Sequence, residues 1–307
     1  MEPIGILMMA YGGPNNLDEV EPYLRDVRGG RPVSPAAVEE MRDRYRLIGG
    51  SSPLLERTRA QAVALQTALD SSGSLPFRVY VGMRHWHPYI AEALADMARD
   101  GLRRAVGLVM APHYSRLSVG AYYKCVDEAN SPIALARIEH WHLLPGYLDA
   151  LANRINHSLQ SFPVEERSRV PILCTAHSLP RRIKEWHDAY PDQLHQTVEA
   201  LNQRLGECTS LVAYQSAAMS PEPWLDPDVS DILDRLAAVG HKHILIAPIG
   251  FVAEHVEILY DIDIAYQRQA RSLGIHLERT EMLNTAPEMI NSLADLVRGE
   301  ATKAQWT

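Results

Sequence analysis

The sequence predicts an α/β protein made of two similar doubly wound halves, each built on a parallel sheet. Three observations lead there. Short, continuously apolar runs alternate with longer segments of helical period. Strands without polar alternation are buried on both faces, as in a parallel sheet covered by helices. Long helical stretches follow the first strand of each half, between 10 and 77 and between 176 and 211. A (β/α)8 barrel would instead show one helix per strand. The chain of 307 residues is also long enough for two domains with a substantial core.

In the first half, apolar runs mark strands at 4–10, 77–82 and 105–111, with a weaker one near 135–139. Helical period marks 17–27, 35–47, 54–69, 89–100 and 119–129. The second half repeats the scheme. Its strands are 172–176, 211–215 and 243–248, with a weaker one near 275–279; its helices are 148–160, 193–205, 230–238, 253–272 and 287–298. The boundary falls near 144–150, giving domains 1–145 and 146–307, with the last helix expected to pack back on the first domain. No strong internal repeat and no low-complexity linker occur, so the halves are expected to pack closely.

Composition narrows the function classes. A formal charge of −8 gives no general attraction to nucleic acid. Cys125, Cys174 and Cys208 are far apart and form no C-x-x-C, which argues against a disulfide framework, a thiolate zinc site and an iron–sulfur cluster. Isolated cysteines suit a reducing cytoplasm. The start, MEPIGILMMAYGG, lacks a signal-peptide pattern, and no apolar stretch approaches the roughly 20 residues that span a bilayer.

In open α/β sheets, ligands bind beyond the carboxyl ends of the strands. Those ends carry Tyr11-Gly12-Gly13-Pro14, Ala111-Pro112-His113-Tyr114, Ala176-His177-Ser178-Leu179-Pro180, Gln215-Ser216 and Pro248-Ile249-Gly250-Phe251. Aromatic, imidazole and hydroxyl groups therefore converge. The Gly-Gly-Pro turn matches neither a dinucleotide fingerprint nor a P-loop and reads as a tight turn. No G-x-S-x-G elbow is present.

His177 ends a run of small and apolar residues. Two readings stand for it: a base or metal ligand at a strand edge, or a core histidine with a backbone partner. Glu254, Glu257 and Asp261 are spaced i, i+3, i+7 and are expected to share one helical face. An oxygen-rich line suits a divalent cation in transit. A solvated acidic helix start accounts for the first two but less well for Asp261, about two turns in. The H-x-H pairs His85/His87, His140/His142 and His241/His243 show no third ligand and read as surface or loop histidines. Arg28, Arg31, Arg44 and Arg46 form a basic group, either simply solvated or facing a carboxylate-bearing ligand.

Taken together, these segments resemble the ferrochelatase family along nearly the whole chain. The resemblance lies in Met9-Ala10-Tyr11-Gly12-Gly13-Pro14, Ile48-Gly49-Gly50-Ser51-Ser52-Pro53-Leu54 and Ala111-Pro112-His113-Tyr114-Ser115. It continues through Ala176-His177-Ser178-Leu179-Pro180, Tyr190-Pro191-Asp192-Gln193, Tyr214-Gln215-Ser216, Pro223-Trp224-Leu225-Asp226-Pro227 and Gly250-Phe251-Val252-Ala253-Glu254-His255-Val256-Glu257. Each segment alone is unspecific; their joint order and spacing are highly specific.

The resemblance implies two Rossmann-like domains with a porphyrin cleft between them, and an enzyme that inserts Fe2+ into a free-base porphyrin. His177 matches the family's active-site histidine and Glu257 the carboxylate facing it, both as catalytic groups and as metal ligands. Glu254, His255 and Asp261 match an acidic track leading away. Ala265 stands where some relatives carry a further acid, which argues against a second metal site there. Tyr11, in an A-Y-G-x-P context, looks like the coproporphyrin III subclass. By the same resemblance Arg28, Arg44, Tyr45, Ser52 and Tyr122 are candidates for propionate contacts. Iron is expected as substrate, with no tightly bound cofactor and no iron–sulfur cluster. The expected setting is a cytoplasmic monomer in transient contact with a downstream haem-synthesis enzyme. Its charged 35–47 lip is not built for membrane binding. Other readings are a protoporphyrin IX ferrochelatase, a cobalt or nickel chelatase of a related tetrapyrrole, and a non-catalytic haem or porphyrin carrier. Cobalt and nickel chelatases usually pair two histidines, where this chain has Glu257.

Overall fold

The computed structural model describes residues 2–71, 75–206, 208–218 and 222–306. Eight strands form two four-stranded parallel sheets. The first contains β1 (Ile4–Ala10), β2 (Phe77–Met83), β3 (Arg104–Val109) and β4 (Ala134–Ile138), ordered β2-β1-β3-β4. The second contains β5 (Pro171–His177), β6 (Thr209–Gln215), β7 (His243–Ala247) and β8 (His276–Arg279), ordered β6-β5-β7-β8. The two orders are the same. In each sheet the chain starts on an inner strand, moves to one edge, and then returns across to the other side. That reversal leaves a crevice at the strands' carboxyl ends.

All seven residues of β1 are buried, as a strand covered on both faces requires. One face of the first sheet carries α4 (Ile90–Arg99) and α5 (Val119–Glu128), which bury Leu94, Met97 and Tyr123 against Leu7 and Val109. On the other face lie α3 (Leu54–Asp70) and α10 (Pro287–Lys303). In the second sheet, α6 (Pro145–Ser158) and α7 (Tyr190–Leu205) cover one face, and α8 (Val229–Ala238) and α9 (Gln267–Ser272) the other.

A single apolar core joins the halves. Ile4, Ile6 and Met8 of β1 belong to the same buried cluster as Ile172 and Cys174 of β5, with α6 and α10 between them. Although α10 is last in the chain, it packs on α3, α6, β3 and β4. Gly146 permits the α6–α10 approach: a Cβ there would lie 2.0 Å from the Glu288 carbonyl oxygen.

Some boundaries move from those read in the sequence. Prolines at the first helical positions start α6 at Pro145 and place Pro191 in the first turn of α7, earlier than the periodicity alone marks. The segment expected as one helix over 253–272 is different in kind. Residues 251–255 are not helical, Glu257–Tyr266 is a π-helix, and α9 follows. π-helices are rare and concentrate at functional sites.

Candidate active site

The carboxyl ends of both sheets surround one cavity of about 350 Å³. This is within the usual size range of small-molecule sites. The first sheet contributes Tyr11 after β1, Arg84 after β2 and His113 after β3. The second contributes His177 at the end of β5, and Phe251 and Glu257 after β7.

His177 and Glu257 meet, with Nε2 to Oε1 at 3.3 Å. The other imidazole nitrogen, Nδ1, bonds the Ser178 carbonyl oxygen. A carbonyl can only accept, so Nδ1 carries hydrogen and Nε2 is the atom offered to the cavity. His255 repeats this arrangement: Nδ1 donates to the Ala253 carbonyl at 3.0 Å, while Nε2 lies 3.4 Å from the second Glu257 oxygen. Glu257 is thus flanked by two imidazoles. Burial pushes the His177 pKa down, but the charge and hydrogen bond of Glu257 outweigh it, together with the Ser178 carbonyl and Asp261, and raise it to about 9. For Glu257, burial raises the carboxyl pKa, yet His177 and His255 hold it well below the usual range. The resting pair is therefore imidazolium and carboxylate.

Tyr11, Tyr45, Ser52 and Tyr122 all line the cavity. Tyr11 is 39% exposed, and its ring lies tilted against that of His85 with centroids 4.7 Å apart. Desolvation first, then the Glu257 charge, pushes its phenol up to about 12, against the opposing effect of Arg84. Tyr45 and Tyr122 are buried at the wall, and burial raises both.

One expectation needs correction, and two candidate contacts lie away from the cavity wall. Glu254 does not share a helical face with Glu257, because it precedes the helix. Its carboxylate is held by Arg57 at 3.0 Å and Asn284 at 3.0 Å and does not line the cavity. Arg28 is exposed just beyond α1 (Val20–Val27) and is absent from the cavity wall. Arg44, on α2 (Pro35–Leu47), also lies outside that wall. It pairs with Glu40 at 2.8 Å, approaches Asp261 at 3.8 Å and lies over the Tyr260 ring.

Asp261 follows Glu257 by about one π-helical turn, where it accepts from the Ser216 hydroxyl at 2.5 Å. Desolvation raises its pKa, with the Ser216 bond opposing and Glu257 adding to the rise. Hydrogen bonds tie the H-x-H histidines to other residues, His85 to Asp26, His87 to Glu92 and His142 to Gln196, while the His140 and His142 rings lie 5.2 Å apart. The His243 ring meets that of His276 on the neighbouring strand edge to face. Among the described residues, no group of three or more His, Cys, Asp or Glu is arranged to hold a metal ion.

Arg84 was not singled out in the sequence. It lines the cavity over the rings of Tyr11 and Tyr122, at 5.9 and 5.6 Å. Its side chain donates to the Leu117 carbonyl at 3.3 Å, and no carboxylate pairs with it among the described residues. The signal was available: it stands just past the carboxyl end of an apolar strand.

Comparison with known proteins agrees with this architecture. The ferrochelatase family model matches residues 3–301. A ferrochelatase of Deinococcus radiodurans is 45% identical, covering 98% of this chain and 97% of its own length. One from Herpetosiphon aurantiacus is 43% identical, covering 96% and 98%. The coproporphyrin III ferrochelatase of Bacillus subtilis is 36% identical, covering 96% of each. Among solved structures, SirB from Bacillus subtilis with Fe3+ aligns with a TM-score of 0.59 at 10% identity, covering 100% of this chain and 98% of that one. CbiX, the terminal enzyme for sirohaem biosynthesis in denitrifying bacteria, gives 0.53 at 12%, covering 97% and 99%. At such identities these two speak for the fold alone.

Proposed function

This chain belongs to the ferrochelatase family, enzymes that insert metal into porphyrin in haem synthesis, and we propose that it inserts Fe2+ into coproporphyrin III at the His177–Glu257 pair. The observation that carries the site is the 3.3 Å contact of these two side chains at the cavity wall.

Insertion exchanges two pyrrole protons for one divalent cation. Neutral pyrrole nitrogens are weak ligands until deprotonated, so a base within reach speeds the exchange. Ferrous iron entering between His177 Nε2 and Glu257 would displace the imidazolium proton to solvent, because a metal ligand must be deprotonated. One imidazole and one carboxylate hold the ion loosely enough to give it up. As the iron passes to the ring, the freed His177 takes one pyrrole proton while Glu257 stabilises the imidazolium, and the second pyrrole proton leaves to solvent. A cleft that favours a saddled ring over a flat one presents the nitrogen lone pairs and is complementary to the transition state. Asp261 and His255 extend the polar route behind Glu257.

Several features support coproporphyrin. Tyr11 faces the cavity, and relatives at 36–37% identity carry the name coproporphyrin III ferrochelatase. Arg84, Ser52, Tyr45 and Tyr122 offer one cation and three hydroxyls to ring carboxylates. Four propionates have more to gain from such donors than two. A charge-assisted hydrogen bond is worth roughly 1.5–3 kcal/mol. Two further propionates, if each gains one such bond, therefore favour coproporphyrin by about a hundredfold or more.

The test is an anaerobic comparison of initial iron-insertion rates for coproporphyrin III and protoporphyrin IX, with His177→Ala and Glu257→Gln alongside. Strong loss in both variants and a coproporphyrin preference are expected. Equal efficiency with protoporphyrin IX would remove the substrate assignment. Near-normal turnover by either variant would remove the assignment of the pair.

A further inference from the structure

We propose that Gln215 and Tyr190 are positioning residues that set the spacing of His177 and Glu257 through their backbones. Both members of the pair have the main-chain carbonyl held by a side chain from another element. The Tyr190 hydroxyl donates to the His177 carbonyl at 3.0 Å. The Gln215 side-chain amide donates to the Glu257 carbonyl at 2.9 Å. Neither bond touches the reactive side-chain atoms; Gln215 lies outside the cavity wall, and the Tyr190 ring, which lines it, is kept by a change to Phe.

The fold makes Gln215 a natural reference point. It is the last residue of β6 and lies directly opposite His177 in the parallel register. The next residue, Ser178, donates its own N–H to the Gln215 carbonyl at 2.7 Å. One residue therefore holds the end of β5 through its main chain and the start of the π-helix through its side chain. Gln215 is fully buried, and its Oε1 has no hydrogen-bond partner among the described residues. A buried amide with one end unsatisfied is costly, so what retains it here is the contact made by the other end.

Tyr190 is anchored in turn. It opens α7, where its N–H donates to buried Asp188 at 3.1 Å. The other Asp188 oxygen accepts from the Ser115 hydroxyl at 3.1 Å and the Arg116 N–H at 2.8 Å, both in the loop after β3. The carbonyl of His177 is thereby referred to the first half of the molecule, and that of Glu257 to the second sheet. Two donor groups that exchange a metal ion must return to the same spacing after each turnover. Side chains locked by buried hydrogen bonds provide that return.

The inference rests on the reading that His177 and Glu257 act on the metal. The test measures zinc insertion into coproporphyrin III by Tyr190→Phe, Gln215→Met, His177→Ala, Glu257→Gln and the doubles Tyr190→Phe/His177→Ala and Gln215→Met/Glu257→Gln. Each positioning variant is expected to lower kcat about three- to tenfold, with porphyrin KM changed less than about twofold. In the doubles, the positioning change should add no further loss, because its partner's reactive group is already gone. Multiplicative losses in the doubles would mean an independent structural role and overturn the inference, as would unchanged kcat in the single variants. Normal turnover by His177→Ala or Glu257→Gln would instead remove the underlying reading and this inference with it. Tyr190→Phe deletes one hydroxyl and carries the test if Gln215→Met fails to fold.

Discussion

Replacing Glu257 by Gln keeps the side chain's size and removes its charge, so it should lower the pKa of His177. The size of the drop follows from geometry. The interacting atoms are 3.3 Å apart. Unit charges at that distance attract by about 1 kcal/mol in a water-like medium and about 5 kcal/mol at an effective dielectric constant of 20. The side chains of His177 and Glu257 are 33% and 29% exposed, so solvent screening favours the lower part of that interval. A working value of roughly 1.5–3 kcal/mol corresponds to about one to two pKa units. Starting from about 9 in the native chain, the variant should titrate nearer 7–8. The assay is an NMR titration of the His177 ring signal in histidine-labelled protein, assigned by its absence in His177→Ala. An unchanged pKa in Glu257→Gln, or a native value at or below 6.5, would refute the reasoning. Stability carries the same sign. The raised His177 contributes fully below about 6.5 and loses its contribution as pH rises through about 9. The depressed Glu257 contributes above about 4.5 and is lost as pH falls through its low native value. The native chain should therefore exceed Glu257→Gln in melting temperature most clearly between about pH 4.5 and 6.5, with the gap closing beyond 9.

Two further outcomes are expected. Gly250→Ala would place a methyl 2.6 Å from Ala176 Cβ and 2.8 Å from Ala176 Cα, one residue before His177. It should destabilise the chain by about 1–3 kcal/mol and lower insertion activity more than thermal melting alone explains; wild-type activity in a correctly folded variant would contradict this. Arg84→Gln removes a cavity-lining cation whose side chain donates to a main-chain carbonyl. Porphyrin KM should rise by roughly ten- to a hundredfold with little change in melting temperature, and unchanged binding in a fluorescence titration would exclude Arg84 as an anchor.

The sequence by itself determined the fold class and marked His177 and Glu257 as candidate reacting groups. Parallel strands buried on both faces must be apolar throughout, so IGILMMA and its counterparts are legible as strands without any partner in view. Ligand sites follow strand ends in such sheets, which is why Tyr11, His177 and Gly250 stood out before any contact was known. Tertiary structure decided what depends on distance between remote segments. Periodicity read 253–272 as a regular helix and aligned Glu254 with Glu257; local hydrogen bonding instead starts a π-helix at Glu257 and leaves Glu254 to Arg57 and Asn284. Arg44 is a free cation in the sequence and a partner of Glu40 and Asp261 in the fold. Arg84 carries no motif, and its role as a candidate anchor exists only because β2 ends beside Tyr11 and Tyr122. Residue type and order constrain which chemistry is available. Which charges are already satisfied, and which remain open to a substrate, is set by long-range pairing that no local pattern encodes.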